Sequence, residues 1–360
     1  VKGFPAFHSH PMSKTVLINL SLNELADLIE SWGEPAFHAA QVWRWLYRSH
    51  AESFEAMSDL PLRLREMLSE KTSLGALTPV SEVASADGKT AKVLFWLADG
   101  ETIEAVSMNQ AGKRHTVCVS TQAGCPIHCS FCATGQQGFR RNLNAGEIVE
   151  QVIFFSRRMP DRPVTNVVFM GMGEPLVNYP ATVKAIRTLN SPHGFNLGAR
   201  HMTLSTAGFI PGIKRLTRED LQVGLAVSLH APTDSLRDTL VPLNRRYPLA
   251  ELIAACRDFF AATGRRVTFE YVLFAGINDA SRHAVQLAKL LAGMNCHVNL
   301  IPANLTPGSS FLPSPRERIK AFQGELIRRG VPATVRRSLG ADIQAGCGQL
   351  RGEMSPAQVE

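Results

Sequence analysis

Three cysteines fall within a stretch of eight residues, at positions 125, 129 and 132. Three thiolates at this Cys-x3-Cys-x2-Cys spacing can wrap one face of an iron–sulfide cubane. A [4Fe–4S] cluster with three protein ligands keeps one iron open, and that iron can chelate the amino and carboxylate groups of S-adenosylmethionine. Structural zinc is the alternative, but zinc prefers four ligands in two close pairs, and His128 is the one nearby candidate for a fourth. The spacing of Cys125, Cys129 and Cys132 therefore favours a cluster, and Phe131 would suit a ring packed over it.

The chain beyond residue 115 alternates short β-rich runs with helical stretches, which predicts an α/β fold with a parallel sheet. Six or seven such units favour a full or partial β/α barrel over an open sheet. The predicted strands are Thr116–Ser120, Val164–Met170, His201–Ser205, Val223–Leu229, Val267–Leu273, His297–Pro302 and Ala333–Arg336. The predicted helices are Ala145–Arg157, Tyr179–Asn190, Leu249–Thr263, Ser281–Ala292 and Arg316–Arg329.

Small or polar motifs follow most of these predicted strands. They are the cysteine group, the segment 171–174 (GMGE), Ser205-Thr206, Ser228-Leu229-His230 and Asn304. In parallel β/α barrels the functional groups gather at the carboxyl ends of the strands. The series therefore predicts one shared site at that end of the barrel.

The segment before residue 96 has a different rhythm and predicts a small helical accessory domain. Helices are expected at Leu20–Trp32, Ala36–Tyr47 and Pro61–Glu70, and Ser21 with Glu24 has the spacing of a capping box. Alternating β-type residues follow over 80–82, 92–97 and 101–106. We expect a flexible tail over 1–14, an accessory domain with a β linker over 15–95, a main domain over 96–352 with its core at about 111–345, and a tail over 353–360.

Composition excludes several classes of protein. Hydrophobic residues make up 45 % and charged residues 19 %, so global disorder is excluded. No apolar run approaches the roughly 20 residues of a membrane span, and no secretion signal is visible, so we expect a cytoplasmic protein. Seven cysteines are too few for a disulfide scaffold. They must be buried, metal-binding or reactive.

Positive charge is concentrated in the larger segment. Residues 1–95 hold nine basic and eleven acidic side chains, whereas residues 96–360 hold 29 and 20. Basic pairs recur there at 113–114, 140–141, 245–246, 265–266, 328–329 and 336–337. A basic domain beside a slightly acidic one suggests a polyanionic partner, with nucleic acid first.

The stretch 118–143, CVSTQAGCPIHCSFCATGQQGFRRNL, resembles the radical S-adenosylmethionine superfamily and, within it, the RlmN/Cfr family of RNA adenosine methyltransferases. The motifs GMGEP (171–175), TLSTAG (203–208), SLHAP (228–232) and GADIQAGCGQL (340–350) support the resemblance in the same order. The segment PAFHAAQVWRWLY (35–47) resembles the accessory domain of the family. The resemblance covers nearly the whole chain. It implies a parallel, partial β/α barrel of the kind found in radical S-adenosylmethionine enzymes.

The resemblance implies that seven residues bind S-adenosylmethionine. They are Gly173, Glu174, Ser205, Ser228, Leu229, His230 and Asn304. The Glu174 carboxylate would receive the amino group of the cofactor, and Asn304 would hold the adenosyl part. The family usually has Trp-Asn-Pro at the last position, where this chain has Ala303-Asn304-Leu305.

The family likeness also implies a mechanism that consumes two molecules of S-adenosylmethionine and one [4Fe–4S] cluster per chain. Cys347 would be methylated, a radical on that methyl group would add to the adenine, and Cys118 would release the product through a transient disulfide. Glu104 would remove the ring proton, with Glu101 as a near competitor. Cys256 and Cys296, in apolar contexts, are expected to be ordinary buried residues.

Two activities remain open within the family. RlmN-type enzymes methylate adenosine carbon 2 in 23S ribosomal RNA and in tRNA, whereas Cfr-type enzymes methylate carbon 8. The segment GQQGFRRNL and the leucine of GMGEPL both favour the RlmN type. A remote alternative is a cluster-stabilised RNA-binding module without catalytic activity. The expected partners are 23S rRNA, tRNA, an electron donor and a disulfide reductant, with no membrane and a monomeric protein.

Overall fold

The computed structural model describes residues 14–110, 114–306, 310–336 and 338–352. The two expected tails therefore lie outside the described residues except for Lys14, as do Lys113 and Arg337 of the basic pairs. Within the described ranges, no helix is both long enough and apolar enough to cross a membrane.

Three helices pack together at the start of the described chain. They are α1 (Leu22–Ser31), α2 (Phe37–Tyr47) and α3 (Leu62–Lys71). The predicted capping box is confirmed, since Ser21 Oγ accepts from the Glu24 amide and the Glu24 carboxylate accepts from the Ser21 amide. Two short parallel strands, β1 (Thr15–Val16) and β2 (Thr72–Ser73), tie the ends of this segment together.

A ten-stranded sheet forms the centre of the molecule, and a two-stranded hairpin lies beside it. The remaining strands are β3 (Thr78–Ala84), β4 (Thr90–Trp96), β5 (Thr102–Asn109), β6 (His115–Cys118), β7 (Gln122–Gly124), β8 (Phe139–Asn142), β9 (Asn166–Phe169), β10 (Met202–Thr206), β11 (Gly224–Ser228), β12 (Val267–Leu273), β13 (Cys296–Pro302) and β14 (Ala333–Val335). The order in the large sheet is β14-β13-β12-β11-β10-β9-β6-β5-β4-β3. All pairs from β6 to β14 are parallel, and β5, β4 and β3 extend the sheet antiparallel.

Helices connect the parallel strands, as the alternation in the sequence predicts. They are α4 (Ala133–Gln136), α5 (Ala145–Arg158), α6 (Tyr179–Asn190), α7 (Ile210–Leu216), α8 (Asp234–Leu240), α9 (Leu249–Thr263), α10 (Ser281–Leu290) and α11 (Arg316–Arg328). The predicted parallel α/β architecture with a helical N-terminal segment is confirmed. Sequence analysis missed α7, α8 and the β7–β8 hairpin, which are short and carry little periodicity.

The strands β3 to β5 belong to the large sheet and not to the helical segment. The expected boundary between residues 95 and 96 falls inside β4, whose two neighbours in the sheet are β3 and β5. The apolar faces of these strands join the same buried core as the parallel strands, with Val93, Phe95, Ile103 and Val117 all below 2 % exposed. The sheet thus continues without a break from the linker into the barrel.

Candidate functional site

The three cysteines lie on the loop between β7 and α4, beyond the carboxyl end of β6. Gly124 precedes the first of them at φ +71°, and a Cβ there would lie 1.9 Å from the Gly138 carbonyl oxygen, so only glycine fits this turn. The Cys125 amide donates to the same carbonyl at 2.8 Å. Cys132 precedes the first turn of α4 and donates its amide to the Cys129 carbonyl at 3.1 Å. These contacts fold the loop so that all three side chains share one region.

Apolar side chains surround the cysteine loop and limit access of water to it. Cys125, Cys129 and Phe131 pack against a cluster that includes Ala207 and Phe274. Loss of hydration raises the pKa of the Cys125 thiol to about 12, and raises the pKa values of Cys129 and Cys132 as well. The charges of the neighbouring cysteines add to this effect at Cys125 and Cys129. Because their pKa values are raised, the three thiols need a cationic group between them to be held as thiolates, which fits an iron–sulfur cluster.

The zinc alternative has no geometric support. Zinc needs donors at about 2.0–2.3 Å from one point, and the described part of the chain contains no group of three or more His, Cys, Asp or Glu side chains so arranged. The ring of His128 contacts the Gly135 carbonyl, with Nδ1 at 3.1 Å. Phe131 stacks edge-on against His230 with ring centroids 4.9 Å apart, which places an aromatic ring beside the cysteines as expected.

The GMGEP segment follows β9 and lies close to the cysteine loop. Gly173 has φ +101°, and a Cβ there would approach Gln122 Cβ to 2.6 Å. Glu174 is buried; its oxygens accept from the amides of Ala207 at 2.7 Å and Leu176 at 3.2 Å. Burial raises the pKa of the Glu174 carboxyl to about 7. The charge of Glu174 acts on the thiols of both Cys125 and Cys129, so carboxylate and cysteines share one site.

The ends of β10 and β11 place the next predicted residues around the same space. Ser205 and Ser228 are half-buried, whereas the Leu229 side chain is fully buried and offers a ligand only its backbone. The Leu229 amide already donates to the Glu270 carbonyl at 3.0 Å. His230 adopts φ +60°, and its Nδ1 accepts from the Val272 amide at 3.1 Å. Burial lowers the pKa of His230 to about 3, so the ring is neutral with its proton on Nε2.

A buried arginine that sequence analysis missed holds these strand ends together. Arg237 on α8 is 1 % exposed and donates to the carbonyls of Ala207 (2.6 Å), Ser228 (3.1 Å) and Leu229 (3.0 Å). Its remaining contact is the amide oxygen of Asn244 at 2.9 Å. Burial lowers the pKa of the guanidinium to about 10, and the Cys129 thiol opposes that shift. The sequence DSLRDTL of α8 contains no signal that its arginine points inward.

The C-terminal loop carries Cys347 into this site. Asn304 Nδ2 donates to the Cys347 carbonyl at 3.2 Å, and the Ala133 amide at the start of α4 donates to the Gly348 carbonyl at 2.8 Å. Thr134 Oγ1 donates to the Leu350 carbonyl at 2.6 Å. The loop is therefore hydrogen-bonded to both the cysteine loop and the loop after β13.

The charge of Cys347 acts on the Cys118 thiol across the site. Burial, followed by the charge of Cys347, raises the pKa of Cys118 to about 12. The Cys347 side chain is exposed, yet the atoms around it still desolvate the thiol and raise its pKa. Cys132 and Glu270 add to that increase, and Arg336 opposes it. Cys256 and Cys296 are buried as expected, at 0 % and 3 % exposure.

Glu104 on β5 is 1 % exposed, and both of its carboxylate oxygens have partners. Oε1 forms an ion pair with Lys92 Nζ at 2.7 Å, and Oε2 accepts from the amides of Arg351 (2.6 Å) and Gly352 (3.1 Å). Its own amide contacts the sulfur of Met172, within the GMGEP motif. Glu104 thus joins β5 to the segment that follows Cys347.

Several residues of the site were not identified from the sequence. Glu270 and Lys92 could have been noticed, because each is a charged residue inside an otherwise apolar strand, VTFEYVL and TAKVLFW. Gln122 also belongs to the site, because its side-chain oxygen accepts from the Glu174 amide at 2.7 Å. Nothing in the sequence around Gln122 indicates this contact.

Comparison with known proteins agrees with this arrangement. The family described as Radical SAM superfamily matches residues 119–288, and the family described as Ribosomal RNA large subunit methyltransferase N-terminal domain matches residues 15–74. A curated protein of Pelotomaculum thermopropionicum, named probable dual-specificity RNA methyltransferase RlmN, is 49 % identical over 92 % of this chain and 90 % of its own length. A protein of the same name from Geobacillus kaustophilus is 47 % identical over 93 % and 92 %.

A solved structure shows the same fold. The crystal structure of a radical SAM methyltransferase from Sphaerobacter thermophilus has 53 % sequence identity and a TM-score of 0.92, covering 94 % of this chain and all of that one. The helical segment, the barrel and the ordered motifs thus match along nearly their full length, and the chain belongs to the RlmN family of radical S-adenosylmethionine methyltransferases.

Proposed function

We propose that this protein methylates carbon 2 of an adenosine in 23S rRNA and in tRNA. The observation that carries the proposal is the position of the Cys347 loop, which is hydrogen-bonded to the start of α4 beside the cysteine loop through the Ala133 amide and the Gly348 carbonyl, while the charge of Cys347 acts on the Cys118 thiol. A radical enzyme that acts on a small molecule would have no need of a second pair of thiols at the cluster site. The relatives named as dual-specificity RNA methyltransferases support RNA as the substrate.

The residues present fit the cofactors. Cys125, Cys129 and Cys132 would hold a [4Fe–4S] cluster, and Gly173, Glu174 and the ends of β10 and β11 would hold S-adenosylmethionine. When bound, these groups supply a transferable methyl group and an adenosyl radical that can abstract hydrogen. The buried carboxylate of Glu174 is placed to receive an amino group, because its oxygens lie in the same dry space as the cysteine loop.

Cys347 is the carrier of the methyl carbon in this proposal. Carbon 2 of adenine is electrophilic, so ordinary transfer of a methyl cation to it fails, and the carbon must first be attached to a protein thiolate. Cys347 suits this role since its side chain is exposed on a loop between two glycines. The turnover consumes two molecules of S-adenosylmethionine, one for the methyl group and one for the radical.

Cys118 releases the product. Its thiolate attacks the sulfur of Cys347, a disulfide forms, and the bond from that sulfur to the methylene carbon breaks. The electron pair of the broken bond stays on the carbon, which takes up a proton to become the methyl group. An external dithiol then reduces the Cys118–Cys347 disulfide, and an external electron donor serves the cluster.

Glu104 is the proposed base for the ring proton at carbon 2. Its Oε2 is held by the amides of residues 351 and 352, four and five positions after Cys347. A movement of the Cys347 loop would release these amides and expose a carboxylate oxygen. Before this movement Lys92 forms an ion pair with the other carboxylate oxygen.

Mass spectrometry of adenosines tests the function. 23S rRNA and tRNA from cells that lack an RlmN enzyme are incubated with the anaerobically reconstituted protein, S-adenosylmethionine and a reductant. We expect 2-methyladenosine in both RNAs. Methylation at carbon 8 would make the protein a Cfr-type enzyme, and reconstituted iron and sulfide without any methylated base would leave an RNA-binding module.

A further inference from the structure

A carboxylate without an assigned role lies inside the barrel. Glu270 stands in the middle of β12 and is 5 % exposed. The strand register puts it in one row with Ser228 on β11, Asn299 on β13 and Thr334 on β14. We call the ends of β10 and β11, which would hold S-adenosylmethionine, the proposed cofactor rim. Ser228 belongs to this rim, so Glu270 is one strand away from it.

Hydrogen bonds along this row orient the carboxylate. Thr334 Oγ1 donates to Asn299 Oδ1 at 3.0 Å, and Asn299 Nδ2 donates to Glu270 Oε1 at 2.8 Å. An amide whose oxygen is occupied by a donor must present its NH2 group to the other side. Asn299 therefore fixes one oxygen of Glu270 and directs the other, Oε2, away from the row.

Glu270 Oε2 is buried and has no hydrogen-bond partner among the described residues. It forms a long ion pair with Arg336, whose Nη1 lies 3.7 Å away, beyond hydrogen-bonding distance. A buried acceptor without a donor is costly, and such atoms in native proteins call for an explanation. The Arg336 side chain is 42 % exposed, so it covers the carboxylate on the solvent side and can swing away.

The charges of this pair reach the reactive thiols. Glu270 and Arg336 act in opposite directions on the pKa of Cys347, and Arg336 also acts on Cys118. Glu270 thus belongs to the charged groups that act on the Cys347 thiol, and its row also contains Ser228 of the proposed cofactor rim. A carboxylate oxygen can only accept a hydrogen bond, so its partner must be a donor. The amino group of adenine is a donor on the same six-membered ring as carbon 2.

We propose that Glu270 Oε2 accepts a hydrogen bond from the exocyclic amino group of the target adenosine and selects adenine over purines that lack this group. The inference rests on the proposed function. Arg336 swings away when the base enters, and Asn299 with Thr334 keeps the carboxylate in place. Glu270 is then a specificity-determining residue for the reaction.

The test compares two RNAs in one reaction. A tRNA transcript carries either adenosine or purine riboside at the target position, and the ratio of their kcat/KM values is measured by mass spectrometry of the products. A hydrogen bond to a charged group predicts that the wild-type enzyme prefers adenosine by about 10- to 100-fold. In Glu270→Ala the ratio should fall to about one. Glu251→Ala, an exposed carboxylate on α9, is the matched control and should keep the wild-type ratio.

Glu270→Gln covers the case in which the alanine variant fails to fold. Asn299 still holds the amide oxygen, so the NH2 group replaces Oε2 and faces the amino group of the base, and the preference for adenosine should again be lost. A wild-type ratio near one, or an unchanged ratio in Glu270→Gln, overturns the inference. A loss of S-adenosylmethionine affinity in that variant with an unchanged base preference overturns it too, since it assigns Glu270 to the cofactor. If the wild-type enzyme does not methylate the transcript that carries adenosine, the proposed function fails instead.

Discussion

Individual residues at this site combine burial with charge, and the raised pKa of Glu174 shows how strongly burial disfavours its ionised form. Its carboxylate is buried near the thiols of the cysteine loop and accepts hydrogen bonds from the backbone amides of Ala207 and Leu176. Burial outweighs these hydrogen bonds and raises the pKa of Glu174 from 4.5 to about 7. A carboxylate kept at this cost is typical of a functional group rather than a structural one.

The raised pKa of Glu174 predicts how stability depends on pH in the metal-free protein. Folded protein binds a proton at this site up to pH about 7, whereas the unfolded chain releases it near 4.5, so Glu174 contributes a decrease in stability as pH rises through that window. In Glu174→Gln this contribution should be absent, while that of Glu150, whose pKa burial also raises to about 7, remains. A difference of 2.5 pKa units corresponds to about 3 kcal/mol.

Urea unfolding of both proteins at pH 4.5 and pH 8 measures the effect. Glutamine places an NH2 group against one backbone donor, but that penalty is the same at both pH values and cancels in the comparison. Parallel pH profiles for wild-type and Glu174→Gln protein would refute the raised pKa.

A short helix holds the strand ends of the proposed cofactor rim in place. The helix α8 has seven residues, and its Arg237 binds three carbonyls at the ends of β10 and β11. Ala207 links the two charged groups of the rim, because its carbonyl accepts from Arg237 while its amide donates to Glu174. The guanidinium thereby positions the carboxylate through a single residue.

Arg237→Lys should weaken S-adenosylmethionine binding by about tenfold or more in the reconstituted holoenzyme. Lysine keeps the charge but cannot donate in three fixed directions, and one charge-assisted hydrogen bond contributes about 1.5–3 kcal/mol. Equilibrium dialysis with labelled cofactor provides the affinity, and iron analysis shows that the cluster is retained. Arg257→Lys on the exposed side of α9 is the control.

Added guanidinium should restore cofactor affinity in Arg237→Ala, since the deleted side chain leaves a buried space of that shape. Full cofactor affinity in Arg237→Lys, or a loss that only follows a lower melting temperature, would show that Arg237 does not position the rim.

Much of the fold was predictable because long periodic elements dominate it. The helices Tyr179–Asn190 and Leu249–Thr263 and the strand Val267–Leu273 have the bounds that their apolar periodicity predicts. The helix α8 was missed, because seven residues give too little periodicity to distinguish a helix from a loop. Arg237 was missed for another reason: its burial is decided by tertiary packing, and charged residues are rarely buried.

At the scale of the whole molecule, the basic pairs separate into two groups. Arg140 on β8 and Arg245 after α8 lie near the cysteine loop, since β8 pairs with β7 and the Ser130 amide donates to the Leu240 carbonyl. Arg266 and Arg328 precede β12 and β14, so they lie toward the amino ends of the parallel strands, opposite the cysteine loop. Arg328 is also paired with Glu325. The positive charge at the carboxyl edge is therefore the part that can guide RNA to the thiols.

The double change Arg140→Ala with Arg245→Ala should weaken RNA binding and lower the slope of log affinity against log salt by about one per lost phosphate contact. All four arginines are exposed, so the matched change of Arg266 and Arg328 to Ala removes the same charge from the other edge. Filter binding of a tRNA transcript at several salt concentrations measures both. Equal losses in the two double variants would mean that the protein binds RNA through net charge alone.

In the proposed reaction Cys347 carries the methyl carbon and Cys118 releases it. Without Cys118, loading of Cys347 and addition to the base can proceed, but no thiolate remains to break the bond between sulfur and carbon. Without Cys347, nothing is loaded and nothing attaches to RNA. Two merely structural cysteines would instead give the same modest destabilisation in either variant, with no bound RNA.

Mass spectrometry of purified Cys118→Ala and Cys347→Ala proteins, after nuclease digestion, therefore separates the two roles. We predict a nucleotide covalently attached to Cys347 in Cys118→Ala, no adduct in Cys347→Ala, and none in the double variant. Absence of an adduct in Cys118→Ala from RNA-containing, cluster-loaded preparations, or its presence in Cys347→Ala, would show that the two cysteines do not have these roles.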